Sequence, residues 1–184
     1  MPFAQPAVVI QQLWQPLPGE QDWKVFAVLD GARDERIYPR VIESALEHCC
    51  LYRGELEPDL AAAAPYLVQL EPDAPFTEWM MAQGWGDSWG IFAKAAASLP
   101  ELRRHFRRFL MVYDPNGKPL YFRYYDPRVL RVYLPTCTVD ELHTIFGPVR
   151  RYCLEDEDCN RMLEMRFDGT GLAIGRRQLV TRSR

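Results

Sequence analysis

The stretch LYFRYYDPRVL, Leu120 to Leu130, sets a strand directly against a helix. Aromatic side chains fit a half-buried pleated surface, so Tyr121 to Tyr125 predicts a strand. Asp126-Pro127 ends it. Asp126 suits the cap of a following helix, and Pro127 suits the first helical position, where no backbone donor is lost. Arg123 and Arg128 flank the turn and place one carboxylate between two guanidinium forks. The expected role of this junction is structural, with the arginines neutralising Asp126 and tying strand end to helix start.

Upstream lies the clearest hairpin signal of the chain. Leu110 to Tyr113 and Pro119 to Tyr125 flank Asp114-Pro115-Asn116-Gly117, in which Pro presets the turn and Gly supplies a positive φ. Before it, Ser98 and Glu101 form a capping box. The helix that follows carries Leu99, Leu102, Phe106, Phe109 and Leu110 on one side and Arg103, Arg104, Arg107 and Arg108 on the other. Downstream, Val129 to Leu134 predicts a short helix. A second capping box, Thr138 with Glu141, opens another that stops at Gly147-Pro148. VRRYCLED and NRMLEMRFDG then alternate as strands do, with EDED as the solvated turn between them. The basic GRRQLVTRSR is expected to fray.

Toward the N-terminus, Trp23 to Leu29 (WKVFAVL) is a continuous apolar run, as in a strand covered on both faces. Helices are expected over 34–49, 57–64 and 76–83, and strands over 66–70 and 89–93. Residues 1–22, rich in Pro and Gln, are a lead-in. This order argues for an α/β architecture: a mixed β-sheet with flanking helices, a central antiparallel hairpin and a small C-terminal β-rich appendage. The helical crossovers are expected to join parallel strands.

The composition is that of a globular protein, with 184 residues, 48% hydrophobic and 26% charged. A net charge of -3 argues against an electrostatic nucleic-acid binder. The cations are nearly all arginine, and Lys24, Lys94 and Lys118 are the lysines. Arginine favours bidentate carboxylate contacts and protein interfaces. No basic region precedes the N-terminal apolar patch, and no apolar run approaches membrane-spanning length. A cytoplasmic protein with reduced cysteines, without membrane or nucleic-acid partners, is therefore expected.

Motifs that carry chemistry are weak here. GWGDSWG, Gly84 to Gly90, has a G-x-G but lacks the third glycine, and it lies between a helix and a strand, the reverse of a dinucleotide site. His48, Cys49 and Cys50 are adjacent and would point apart on a helix. Gly86-Asp87-Ser88-Trp89-Gly90 has the letters G-x-S-x-G, but it lies between a helix and a strand, the reverse of a nucleophile elbow, and H-E-x-x-H is absent from the sequence. No catalytic residue, metal or cofactor is expected. The arginine face of the Leu99 helix is either solvated or grips phosphate or an acidic partner.

Taken together, five segments resemble the DUF4123 domain of type VI secretion effector-adaptor chaperones. They are FAVLDGA (Phe26 to Ala32), APYLVQL (Ala64 to Leu70), GWGDSWGIF, the run LRRHFRRFLMVYDPNGKPLYFRYYDPRVL and IFGPV (Ile145 to Val149). The family signature falls on Arg123, Tyr125, Asp126, Pro127 and Arg128. The resemblance places the family-like domain at 23–154 and leaves 155–184 as a C-terminal strand and basic tail. It implies a bacterial adaptor, not an enzyme, that holds a toxic effector and helps load it on the VgrG spike. Many family members continue into a further C-terminal lobe, so binding through a reduced surface, or with help from a second co-adaptor, is expected. Trp79, Trp85, Trp89, Arg103 and Arg107 are the candidate partner-binding residues. The alternatives are a toxin-neutralising, immunity-like protein, and an enzyme built around Arg123, Asp126 and Arg128.

Overall fold

A computed structural model of the chain describes residues 4–20 and 22–179. In chain order the elements are α1 (Pro6–Trp14), β1 (Lys24–Asp30), α2 (Ile37–Glu43), β2 (His48–Cys50), α3 (Pro58–Ala62), β3 (Pro65–Leu70), α4 (Pro75–Gly84), β4 (Gly90–Ala95) and α5 (Leu99–Arg107). There follow β5 (Met111–Tyr113), β6 (Pro119–Tyr121), α6 (Pro127–Tyr133), α7 (Val139–Phe146), β7 (Val149–Glu155), β8 (Arg161–Phe167) and β9 (Leu172–Gln178). Seven strands form one sheet in the order β2-β3-β1-β4-β7-β8-β9, and β5 with β6 forms a separate two-stranded sheet. The α/β architecture with flanking helices is as the sequence predicts.

The sense of pairing differs from expectation. Every neighbouring pair in the seven-stranded sheet is antiparallel. The crossovers do join strands of the same direction, since β1 leads through α2 to β2 and β3 leads through α4 to β4. In each case a third strand is interleaved: β3 lies between β1 and β2, and β1 lies between β3 and β4. α2 and α4 thus join strands of one direction that are not neighbours, whereas α3 joins the antiparallel neighbours β2 and β3.

β1 is the strand buried on both faces that its apolar run predicts. Val25, Ala27 and Leu29 join one core with Val68, Phe92 and residues of α1, α2 and α4. Phe26 and Val28 join the other with Leu67, Ile91, Leu154 and residues of α5, α6 and α7. Each fully buried Leu or Phe contributes about 1.5–3 kcal/mol. Both capping boxes form: Ser98 and Thr138 accept from the Glu101 and Glu141 amides, whose carboxylates accept in return.

Several boundaries move. The helix expected over 34–49 ends at Glu43, and His48–Cys50 is an edge strand paired with β3. GRRQ does not fray: Gly175 to Gln178 pair with Arg161 to Glu164 of β8. The lead-in contains α1, whose Val9 and Leu13 are buried. The strands beyond residue 154 extend the main sheet directly.

A buried charge network pins the N-terminal segment to this sheet. Lys94 of β4 and Arg151 of β7 stand opposite one another and would repel. Glu20 lies between them, 2.8 Å from Arg151 and 3.5 Å from Lys94. Glu164 takes the other arm of Arg151 at 2.7 Å and Arg177 at 2.9 Å. Both Lys94 and Arg151 also donate to the Gln15 carbonyl. Arg151 is 0% exposed, so its removal strands buried carboxylates. Arg151→Met is expected to lower the unfolding free energy by about 3–5 kcal/mol in urea titrations.

His105 reports on the opposite core. Its Nε2–H donates to the Ile145 carbonyl at 2.8 Å, and its ring lies against Gly147, whose φ is +43°. Burial, before any other cause, pushes its pKa down to about 4. The unfolded imidazole takes its proton near pH ~6.5. The neutral ring's contribution is therefore complete above that value and is lost as pH falls toward 4. Acidification from pH 7 to pH 4 is expected to cost on the order of 3 kcal/mol through this group. His105→Gln, which keeps a donor, should flatten that part of the stability profile.

Candidate functional site

The signature residues assemble at the end of β1. Asp126 caps α6: its Oδ1 accepts from the Arg128 amide at 2.9 Å, and the Arg128 guanidinium curls back on both oxygens, with Nη2 at 2.6 Å. Burial raises the Asp126 carboxyl, but the Arg128 side-chain and backbone hydrogen bonds outweigh it and hold the group below its usual range. Arg123 does not share this carboxylate, contrary to the pattern read from the sequence. It reaches Asp30, the last residue of β1, in a close ion pair. The other Asp30 oxygen accepts from the Ala32 amide at 3.1 Å. Both carboxylates are thus engaged on both oxygens, and each guanidinium closes a structural joint.

The strand expected through Tyr125 stops at Tyr121. Phe122 makes one further backbone bond to Leu110, at 2.9 Å. The chain then turns inward, burying Tyr124 and Tyr125 and placing the Tyr124 hydroxyl 3.0 Å from the Phe106 carbonyl. Aromatic content here marks core insertion as well as strand. Asp30 is the partner that sequence reading missed; its one local signal is the acidic residue before Gly31 at the strand's end.

The candidate partner-binding residues are dispersed. Trp85 and Trp89 are buried. Their loop wraps the Glu155 carboxylate, which accepts from the Gly86 and Ser88 amides at 2.6 and 3.0 Å and from the Ser88 hydroxyl at 2.9 Å. Ser88 adopts a φ of 57° to do so. The Trp85 indole donates to the Cys159 carbonyl at 2.7 Å. These two tryptophans therefore serve the core and a loop clasp, leaving little surface for a partner. Trp79 is half-buried, with the Arg40 guanidinium 5.1 Å from its ring centre. Arg103 is half-buried. Arg107 braces the loop after β2, donating to the carbonyls of Cys50, Leu51 and Tyr52 at 3.2, 2.9 and 2.6 Å.

The exposed apolar surface lies elsewhere. The β5–β6 hairpin stands outside the main sheet, and all of its strand residues are exposed. Tyr113 is 70% exposed and Tyr121 67%. Met111 and Tyr121 pair across the strands and face one way, while Val112 and Leu120 pair and face the other. An isolated hairpin is marginal in water. This one is held at its base by the Arg123–Asp30 pair and the buried Tyr124. Between it, α3 and the end of α5 lies a groove of about 640 Å³ lined by Leu56, Leu60, Met111, Tyr113, Tyr121 and three arginines, Arg53, Arg107 and Arg108. Tyr52 forms its floor, 5.7 Å from the Tyr121 ring. Among the described residues, no three His, Cys, Asp or Glu side chains converge to hold a metal ion, and all five cysteines are free. No helix among them is long and apolar enough to cross a membrane.

Asp126→Ala removes the α6 cap and the anchor of Arg128. It is expected to lower the unfolding free energy by about 1–2 kcal/mol in chemical denaturation, with the chain still folded.

No curated protein and no solved structure matches the chain. A family model described as a domain of unknown function, DUF4123, matches residues 25–144. That span runs from the first residues of β1 into α7 and contains the hairpin, the groove and the whole Asp30–Arg123–Asp126–Arg128 junction. The chain belongs to the DUF4123 family.

Proposed function

We propose that this chain is a non-catalytic adaptor chaperone that binds a cognate type VI secretion effector in the cytoplasm and helps load it on the VgrG spike. The observation that carries this reading is membership of the DUF4123 family, which is commonly linked to such adaptors. The surface supports it. An adaptor must hold a partner reversibly, which calls for apolar area on a rigid mount with charge at its rim. The exposed hairpin and its arginine-edged groove have that form. The signature carboxylates support a structural role over a catalytic one, since their oxygens are already taken by Ala32, Arg123 and Arg128.

The test is recovery of the partner. The tagged chain, produced in the bacterium that encodes it with its type VI system active, is expected to retain a large toxin, with or without VgrG, by mass spectrometry. The toxin in that complex should keep its enzymatic activity. Recovery of a toxin silenced by the chain would replace the adaptor reading with a toxin-neutralising one.

A further inference from the structure

We infer that the groove between α3, α5 and the β5–β6 hairpin seats a short amphipathic segment of the effector, apolar on the face that enters and bearing Asp or Glu at its edges. This rests on the adaptor reading above. The apolar part of the argument is the lining: Leu60, Met111, Tyr113 and Tyr121 are exposed around one concave surface of about 640 Å³. A volume of that order takes several side chains and is too open for a fully enclosed small molecule. Exposed apolar area of this kind, rimmed by charge, marks interaction sites.

The charged part decides the occupant. The charged residues lining the groove are all arginines, and among the described residues neither Arg53 nor Arg108 forms a salt bridge. Burial, followed by the neighbouring Arg103, lowers the proton affinity of Arg107, with Arg53 adding to the effect. The rim therefore carries positive charge that repels itself and is relieved by carboxylates. A second copy of this chain docked two-fold on the same patch would set arginine against arginine. The other large groove, about 560 Å³ beside Trp79, has a mainly acidic rim, with Glu43, Glu71 and Asp73 against the single cation Arg40, whose guanidinium lies over the Trp79 ring. It belongs to the core on the other face of the sheet. Of the two grooves, the one lined by arginines alone favours an acidic segment, and the net negative lining of Glu43, Glu71 and Asp73 with Arg40 disfavours it in the second.

The experiment places a photocrosslinking phenylalanine analogue at Tyr113 or Tyr121, and separately at Ala45 in the groove beside Trp79, in the full chain co-produced with the effector it retains. The crosslinked peptide is then sequenced. Expected from Tyr113 and Tyr121 is one effector segment that combines apolar side chains with Asp or Glu, absent from the Ala45 sample. In parallel, Arg53→Glu with Arg108→Glu, and separately Tyr113→Ser with Tyr121→Ser, should each cut effector capture by about tenfold or more. All four side chains are exposed or at the rim, so melts of these variants should match the wild type. Reversing the segment's own carboxylates to Arg should restore capture by the Arg53→Glu, Arg108→Glu variant. The inference is overturned if the effector is retained but crosslinks map to a basic segment, to a second copy of this chain, or to the Ala45 groove alone. Capture unchanged in both variants overturns it equally. If the wild type retains no effector at all, the adaptor reading itself fails and the inference falls with it.

Discussion

The ion pair between Arg123 and Asp30 joins two parts of the chain that nothing local would bring together. Asp30 ends the central strand, which pairs on both edges and is buried on both faces. Arg123 leaves the hairpin, the one described strand pair that stands outside the main sheet. The pair is short in space and 93 residues long in sequence. Because Asp30 is buried and Arg123 is half exposed, the carboxylate is the costly member and the arginine is its compensation. With that joint closed, Asp126 can cap α6, Tyr124 can enter the core, and the hairpin is mounted on the sheet instead of merged into it.

Local signals were legible in the sequence wherever local chemistry decides. Both capping boxes formed because Ser98 with Glu101 and Thr138 with Glu141 satisfy one another within a single turn. The apolar run of β1 announced burial on both faces. The turn at Asp114 to Gly117 announced a hairpin. What the sequence could not convey was adjacency. Helices between strands suggested parallel neighbours, and the interleaving of β3 and β1 is a tertiary choice that no residue spacing records. The basic GRRQ looked like a loose tail because its pairing partner, β8, supplies the order, while Arg177 finds Glu164 across the sheet.

The signature was legible as a structural junction but not in its wiring. Arg123 and Arg128 flank Asp126 in sequence, and the natural reading shares the carboxylate between them. The fold gives each arginine its own acid. The tryptophans misled for a related reason. Trp85 and Trp89 sit in a glycine-rich, polar loop that looks exposed, yet Glu155 draws that loop inward through three hydrogen bonds. The exposed aromatics are Tyr113 and Tyr121 instead, on a hairpin whose two strands pair with one another and not with the main sheet.

The interleaved strand order also constrains how the chain is made. β1 leaves the ribosome first among the strands, yet its two edges wait for β3 and β4, and the β7–β9 half of the sheet comes later still. Closing such loops costs chain entropy before any pairing rewards it, so folding should be slow for a domain of this size. Arg123 can reach Asp30 only after the central strands are in place. The ion pair that mounts the hairpin is therefore a late event in synthesis, and a chain caught before it would hold an apolar strand open to whatever protein lies nearest.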